Sequence, residues 1–415
     1  MTPGIATPVF SPLDPAFINN PYPVYAALRE RDPIHRSPMG IWAITRYKDV
    51  VDALRDPRLS NEPSPYAVVH RKNSDRYLAA QVANNIIPFM DPPRHATSRK
   101  LISQSFHAQL NQSPPEIRGI ATRLLDQCRA KGELDIISDF ATPLSIAVIG
   151  QILGIPEQDQ KRLKICSEAF FYLFSAIPSD DVLTRLERGL AEFRQYLSSL
   201  IRDRRINPKT DLISALIEAS DGQYRLNETE LINTSMLLFS DGVENVDSGI
   251  GNSIAALLAN PSELTRLQEQ PHLIQGAVDE CLRFESPAQY IPRVALEDIA
   301  LGEKLIRKNA GVFLVLASAN RDSAQFNDPD TLDITREPNP HLSFGRGRHS
   351  CIGAALVRQE IEIGITVILH NLQNLKQKHP VHEWMPRAGH RWLATLPVTF
   401  TRYYLIAIVV ADFMP

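Results

Sequence analysis

The residues best suited to chemistry lie in one segment, Phe344-Gly-Arg-Gly-Arg-His-Ser-Cys351-Ile-Gly353. Gly345 and Gly347 admit positive φ and let the backbone pass close to a bound group. Cys351 falls just before an apolar-periodic stretch, Ile352–Leu372, that predicts a helix. Amide N–H groups and the positive end of the dipole at a helix start favour a thiolate, a soft ligand suited to iron. Reading Gly345-x-Gly347 as half of a dinucleotide fingerprint fails, because Ser350 stands where the third glycine belongs and no strand precedes the turn. Cys128, Cys166 and Cys281 are widely spaced and form no Cys-x-x-Cys pair, so they read as small core thiols. That spacing excludes a disulfide scaffold and a zinc site built from cysteines, and it suits a reducing, cytoplasmic setting.

A second polar group sits in Ser240-Asp-Gly-Val-Glu-Asn-Val-Asp-Ser248. Asp241, Glu244, Asn245 and Ser248 fall at i, i+3, i+4 and i+7, so a helix would put them on one face. The helix is bounded by Asn227, with Glu230 three residues on as in a capping box, and by Pro261. At 1.5 Å per residue it is ~50 Å long. A polar face in the middle of so long an apolar helix is costly unless it lines a wet cavity; the plain alternative is a solvent-facing side. Two further pairs have helical spacing: Glu280 with Arg283, and His95 with Arg99. Taken alone, the first is a surface ion pair worth under ~1 kcal/mol, and the second belongs to a helix that Asp91 can cap.

The positioning elements follow from periodicity. Residues 93–285 are helical almost throughout, with apolar residues three and four apart. Before them come a helix at Pro23–Arg31, a strand at Gly40–Thr45 and a helix at Tyr47–Leu54. Residues 61–90 are polar and broken by Pro63 and Pro65, which predicts a long loop, either disordered or functional. Strand-prone pieces, Ile291–Leu296 and Val312–Ala317, alternate with turns up to residue 340. The 415 residues contain no linker-like tract and no fixed repeat, which points to one large helical domain over 1–400. An apolar tail of open role, 401–415, follows. Forty-four Lys and Arg against 47 Asp and Glu give a net charge of −3, which excludes a nucleic-acid binder acting through bulk charge. The apolar runs Gly311–Ala319 and Tyr403–Ala411 are shorter than the ~20 residues of a membrane span, and the N-terminus shows no signal-peptide pattern.

His341-Leu-Ser-Phe-Gly-Arg-Gly-Arg-His349-Ser-Cys351-Ile-Gly353 resembles the heme-binding signature of the cytochrome P-450 superfamily. The resemblance implies a mainly α, triangular single domain with small β-sheet regions, and heme b (iron protoporphyrin IX) with Cys351 as its proximal ligand. It implies that Phe344 packs beside the sulfur, that Gly353 belongs to the same motif, and that His95, Arg99, Arg293 and His349 hold the heme propionates. Glu280-x-x-Arg283 with Arg336 is similar to the structural triad of the family. Asp91-Pro-Pro-Arg-His95 and Ala319-Asn-Arg-Asp322 match in the same order, and the likeness covers nearly the whole chain.

In the distal helix the sequence departs from the family pattern. That pattern is Ala/Gly-Gly-x-Asp/Glu-Thr, whose acid–alcohol pair delivers protons during dioxygen activation; here it reads Asp241-Gly-Val-Glu244-Asn245. An amide can donate a hydrogen bond but is a poor proton relay. Glu244, Asn245 and Asp241 are therefore the catalytic candidates, with proton delivery through a water, a substrate hydroxyl or Asp241 itself. Leu237, Ser240, Asp241, Gln289, Ile291 and Leu393 are candidate substrate contacts, and the Phe170–Phe174 stretch is either cavity wall or core. The implied reaction is oxidation of a small organic, secondary-metabolite-like substrate by hydroxylation, epoxidation or oxidative coupling. The implied electron donor is a ferredoxin-type protein with its reductase, docking on a basic patch of Lys100, Arg346 and Arg348. Use of hydrogen peroxide, or a non-catalytic heme sensor, are the alternative readings.

Overall fold

The computed structural model describes residues 9–174 and 179–401. Its centre is the helix Glu228–Ala259, 32 residues long, which starts at Asn227 with both hydrogen bonds of a capping box to Glu230. Nearly every side of this helix is buried, polar residues such as Asn233, Ser235, Asn252 and Ser253 included. Thr142–Leu153, Glu157–Phe170, Asp180–Ile206 and Ala354–Asn371 pack around it to form the main core. Gly242 makes the tightest of these crossings possible: a Cβ there would lie 2.6 Å from Ile149. That close approach fixes which side of the helix turns toward Thr142–Leu153.

A five-stranded sheet flanks the helices in the order Ile34–Arg36, Trp42–Ile44, Gly311–Leu314, Ile291–Ala295, Leu59–Ser60. Only the pairing of Trp42–Ile44 with Gly311–Leu314 is parallel. Its second cluster of buried apolar residues is small and separate from the main core. A three-stranded sheet joins Glu133–Asp135, Pro397–Thr399 and Lys376–Gln377.

The mainly α fold with small sheets is as expected, and the helices at 22–31, 47–53 and 354–371 fall close to their predicted spans. Two expectations change. Residues 61–90 are not one loop: they contain Leu78–Ala83 and two 3₁₀ turns, Arg71–Asn73 and Ile87–Phe89. Glu187 of the long helix Asp180–Ile206 accepts from the Leu78 and Ala79 N–H groups and so caps the start of Leu78–Ala83 from outside, a contact no local pattern can reveal. The strand predicted over Val312–Ala317 ends at Leu314, and Leu316–Ala319 turns helical. Of the apolar tail, residues 402–415 lie outside the described residues. The described stretch Ile136–Leu153 is long and apolar enough to cross a membrane, and about half of it is buried inside the fold.

Candidate active site

Cys351 ends a tight turn. Gly345 (φ +64°) and Gly347 (φ +80°) take the left-handed conformation, and the Cys351 N–H donates to Phe344 O at 2.9 Å. The turn delivers the sulfur into a cavity of about 330 Å³ between the start of Ala354–Asn371 and the helix Glu228–Ala259. The cysteine is exposed to this cavity, whereas Cys128, Cys166 and Cys281 are buried. Burial away from bulk water pushes the Cys351 thiol up to about 11, and Asp241 across the cavity pushes the same way. The Gly353 N–H, Arg99 and Arg358 oppose this without overcoming it. The Gly353 N–H at the helix start favours the thiolate but burial outweighs it, and a cation bound to the sulfur would tip the balance. Arg358 lies 4.4 Å over the Phe344 ring beside the turn and bonds Asp279 at 2.6 Å.

Beside the cysteine is a cluster of basic groups whose partners are incomplete. His95 and His349 stack with centroids 3.8 Å apart, and the buried Nε2 of each has no hydrogen-bond partner. Burial, followed by neighbouring basic groups, lowers His95 to about 4 and His349 to about 3, so both rings are neutral. Arg99 donates to Ser350 O at 2.6 Å. Arg293, 6 % exposed, donates to Pro292 O at 2.7 Å, and burial lowers it to about 10. Neither guanidinium has a salt bridge among the described residues. Buried donors left in this state are matched by an anion with several oxygens. A flat group carrying carboxylates at one edge and a cation for the sulfur meets both demands, so these residues fit a heme.

The opposite wall is the distal helix. Leu237, Leu238, Asp241, Gly242, Asn245 and Val246 line the cavity, with Ile149, Phe89, Phe106, Phe171, Phe174 and Ile291 around them. Asn245 Oδ1 is buried and unpartnered. Burial alone pushes the Asp241 carboxyl up to about 7. The polar face expected from the sequence is split in two. Glu244 does not line the cavity; it accepts from Lys164 Nζ at 2.8 Å and Ser167 Oγ at 2.7 Å. One turn later Asp247 accepts from Thr142 Oγ1 at 2.7 Å and lies 3.9 Å from the same Lys164. The reason is angular: around the helix Glu244 lies about 60° to one side of Asp241 and Asn245 about 40° to the other, so Glu244 passes the cavity edge and meets Glu157–Phe170.

Three other candidates are also placed elsewhere. Ser240 is fully buried behind the wall. Gln289 bonds Ser286 O and the Tyr25 hydroxyl beneath the sheet. Leu393 is buried beside Gly251 of the distal helix, outside the cavity lining. In the aromatic stretch, Phe171 and Phe174 face the cavity while Phe170 and Leu173 are core. Sequence reasoning missed Glu360, which lines the cavity from the cysteine helix and whose carboxyl is pushed well up by burial. It also missed Lys164, for which no local signal exists, since it meets Glu244 across 80 positions.

Beneath the cysteine turn, Glu280 and Arg283 are both 0 % exposed and doubly bonded at 2.7 Å, so theirs is no surface pair. Arg336 reaches both Glu280 oxygens, at 3.2 and 3.1 Å, and Asn339 and the Asp333 N–H complete the shell. Arg283 also donates to the carbonyls of Asn320, Pro329 and Thr331, which ties its helix to the loop leading into the turn. Lys100, Arg346 and Arg348 are all exposed.

Comparison with known proteins agrees with this geometry. The profile of the family described as Cytochrome P450 matches residues 66–389. The biotin biosynthesis cytochrome P450 of Bacillus subtilis is 37% identical over 390 residues, covering 92% of this chain and 97% of its own. The polyketide biosynthesis cytochrome P450 PksS of the same organism is 33% identical, with 95% and 99% covered. Among solved structures, P450BioI in complex with hexadec-9Z-enoic acid ligated acyl carrier protein superposes with a TM-score of 0.86 at 36% identity, covering 93% of this chain and 99% of that one.

Proposed function

This chain belongs to the cytochrome P450 family of heme-thiolate monooxygenases, and we propose that it holds heme b through Cys351 and oxidises a small, largely apolar organic substrate of secondary-metabolite type. The observation that carries the reading is the pairing of a cavity-facing cysteine with two histidines whose Nε2 atoms lack partners and two arginines without an acidic partner among the described residues. Cys351 Sγ supplies the iron ligand, while Arg99, Arg293, His95 and His349 bind the propionate carboxylates. When bound, the heme-thiolate supplies activation of dioxygen using two electrons and two protons.

The chain's own groups do the rest. Phe89, Phe106, Phe171 and Phe174 exclude water and orient an apolar body. Asn245, with its unpartnered amide oxygen, holds a water or a substrate hydroxyl where the family pattern has an alcohol. Glu244 and Asp247 share one cation, Lys164, which contacts the half-exposed Glu168 at 3.4 Å, so one carboxyl of the pair can store a proton near the surface. Electrons arrive from a ferredoxin-type donor docked on the side of Lys100, Arg346 and Arg348, and the setting is the cytoplasm.

The test is the spectrum of the carbon monoxide complex of the reduced holoprotein, which reports thiolate ligation. Cys351→Ser should abolish the thiolate signature in a protein that still folds. Retention of that signature in the variant would refute the assignment. A second reading, oxidation driven by hydrogen peroxide, is favoured by Asn245 and by the absence of Glu244 from the cavity wall. Turnover with ferredoxin, reductase and NADPH set against turnover with peroxide alone separates the two.

A further inference from the structure

Asp241 has a carboxyl inside the cavity with no hydrogen bond or ion pair among the described residues. A lone buried carboxylate is costly, and folds normally pair it. Every other acid of the distal helix's central turns is paired: Glu244 with Lys164 and Ser167, Asp247 with Thr142 and Ser248. The charged and titratable groups facing the cavity from neighbouring elements are Arg99, Arg293, His349, Cys351, Glu360, His390 and Tyr290. None of them stabilises the Asp241 carboxylate: burial pushes it up, and Cys351 faces it across the cavity as a like charge when ionised. The arginines sit at the Cys351 end, where the propionate site is. One turn along the helix, and so on the same face, Asn245 presents a second unpartnered acceptor, its amide oxygen. Two neighbouring acceptors, one of them anionic, sit in a largely apolar wall, and neither accepts a hydrogen bond from the described residues.

We propose that Asp241 is the anchor for an organic cation: the substrate carries an alkylammonium group that pairs with this carboxylate while its apolar body lies against the phenylalanine wall. The proposal rests on the heme-thiolate reading above and narrows its substrate class. A carboxylate-bearing substrate would be repelled from the same position, and a neutral alcohol would gain one hydrogen bond without the charge. Because the empty site favours the neutral acid up to about pH 7, binding of a permanent cation must release a proton. Its affinity should therefore rise about tenfold from pH 6 to pH 8 and level off above.

The experiment is a calorimetric titration of the holoprotein with decyltrimethylammonium, decanol and decanoate at pH 6, 7 and 8. The quaternary cation keeps its charge at every pH and cannot ligate iron. It should bind at least ~10-fold more tightly than decanol at pH 8, and decanoate more weakly still. Asp241→Asn should remove both the preference for the cation and its pH dependence while leaving decanol within about threefold; the carbon monoxide spectrum of the variant confirms intact heme ligation. Equal binding of cation and alcohol by the wild type, or an unchanged cation preference in Asp241→Asn, would overturn the inference alone. A wild-type protein that shows no thiolate spectrum would overturn the reading beneath it.

Discussion

Lys164→Met is the most direct perturbation of the distal helix, because it removes an ammonium that touches both Glu244 and Asp247 while keeping a similar side-chain volume. Burial raises Glu244 to about 7 even with Lys164 opposing it, and raises Asp247 as well. Lys164 itself is raised, since Asp247, Glu244 and Glu168 together outweigh its burial. A carboxyl raised in the folded state binds more protons there than in the unfolded chain. Stability therefore falls as pH climbs from about 4.5 toward 7, and the loss is complete above that. Without Lys164 the folded value moves higher and the losing window extends upward. At pH 8 the variant leaves two buried carboxylates without their cation, a cost of ~3–5 kcal/mol. At pH 5.5 Glu244 is protonated, burial favours the neutral form of Asp247 as well, and the cost shrinks to ~1 kcal/mol or less. Urea unfolding of wild type and variant at the two pH values, with m unchanged, gives the difference directly. A destabilisation that is the same within ~0.5 kcal/mol at both would refute the assignment of Lys164 as the charge partner of this pair.

Three other outcomes follow from the same geometry. Glu280→Gln keeps the shape of the buried hub but strands Arg283 and Arg336, and should cost ~3–5 kcal/mol in urea unfolding, far more than a surface pair would. Arg293→Gln removes one charge-assisted contact to a propionate worth ~1.5–3 kcal/mol, so heme transfer to excess apomyoglobin should be roughly 10- to 100-fold faster. Asn245→Ala removes a positioning hydrogen bond of ~1 kcal/mol and should lower product formed per NADPH consumed by up to about fivefold, with substrate affinity little changed; identical coupling in the two proteins would show that the amide has no part in placing the water.

The sequence by itself determined the turn that presents the cysteine. The glycines at 345 and 347, the thiol at 351 and the helix after it form one contiguous stretch, and local backbone preference is enough to shape such a turn. Asn227 and Glu230 likewise fixed the start of the distal helix, because a capping box is a four-residue event. Spacing also put Asp241, Glu244, Asn245 and Ser248 on neighbouring positions, but it could not say what each would face. That was decided by the close crossing at Gly242, which turns Asp241 and Asn245 into the cavity and Glu244 toward Lys164. The same holds for Glu280 and Arg283, whose spacing fits a solvated pair and a buried hub equally well. Only the loop carrying Asn320, Pro329, Thr331 and Arg336, folded over them from about 40 to 60 residues away, makes the hub. Burial and partnership set the energy of a charged group, and both belong to the packed chain rather than to any window of it.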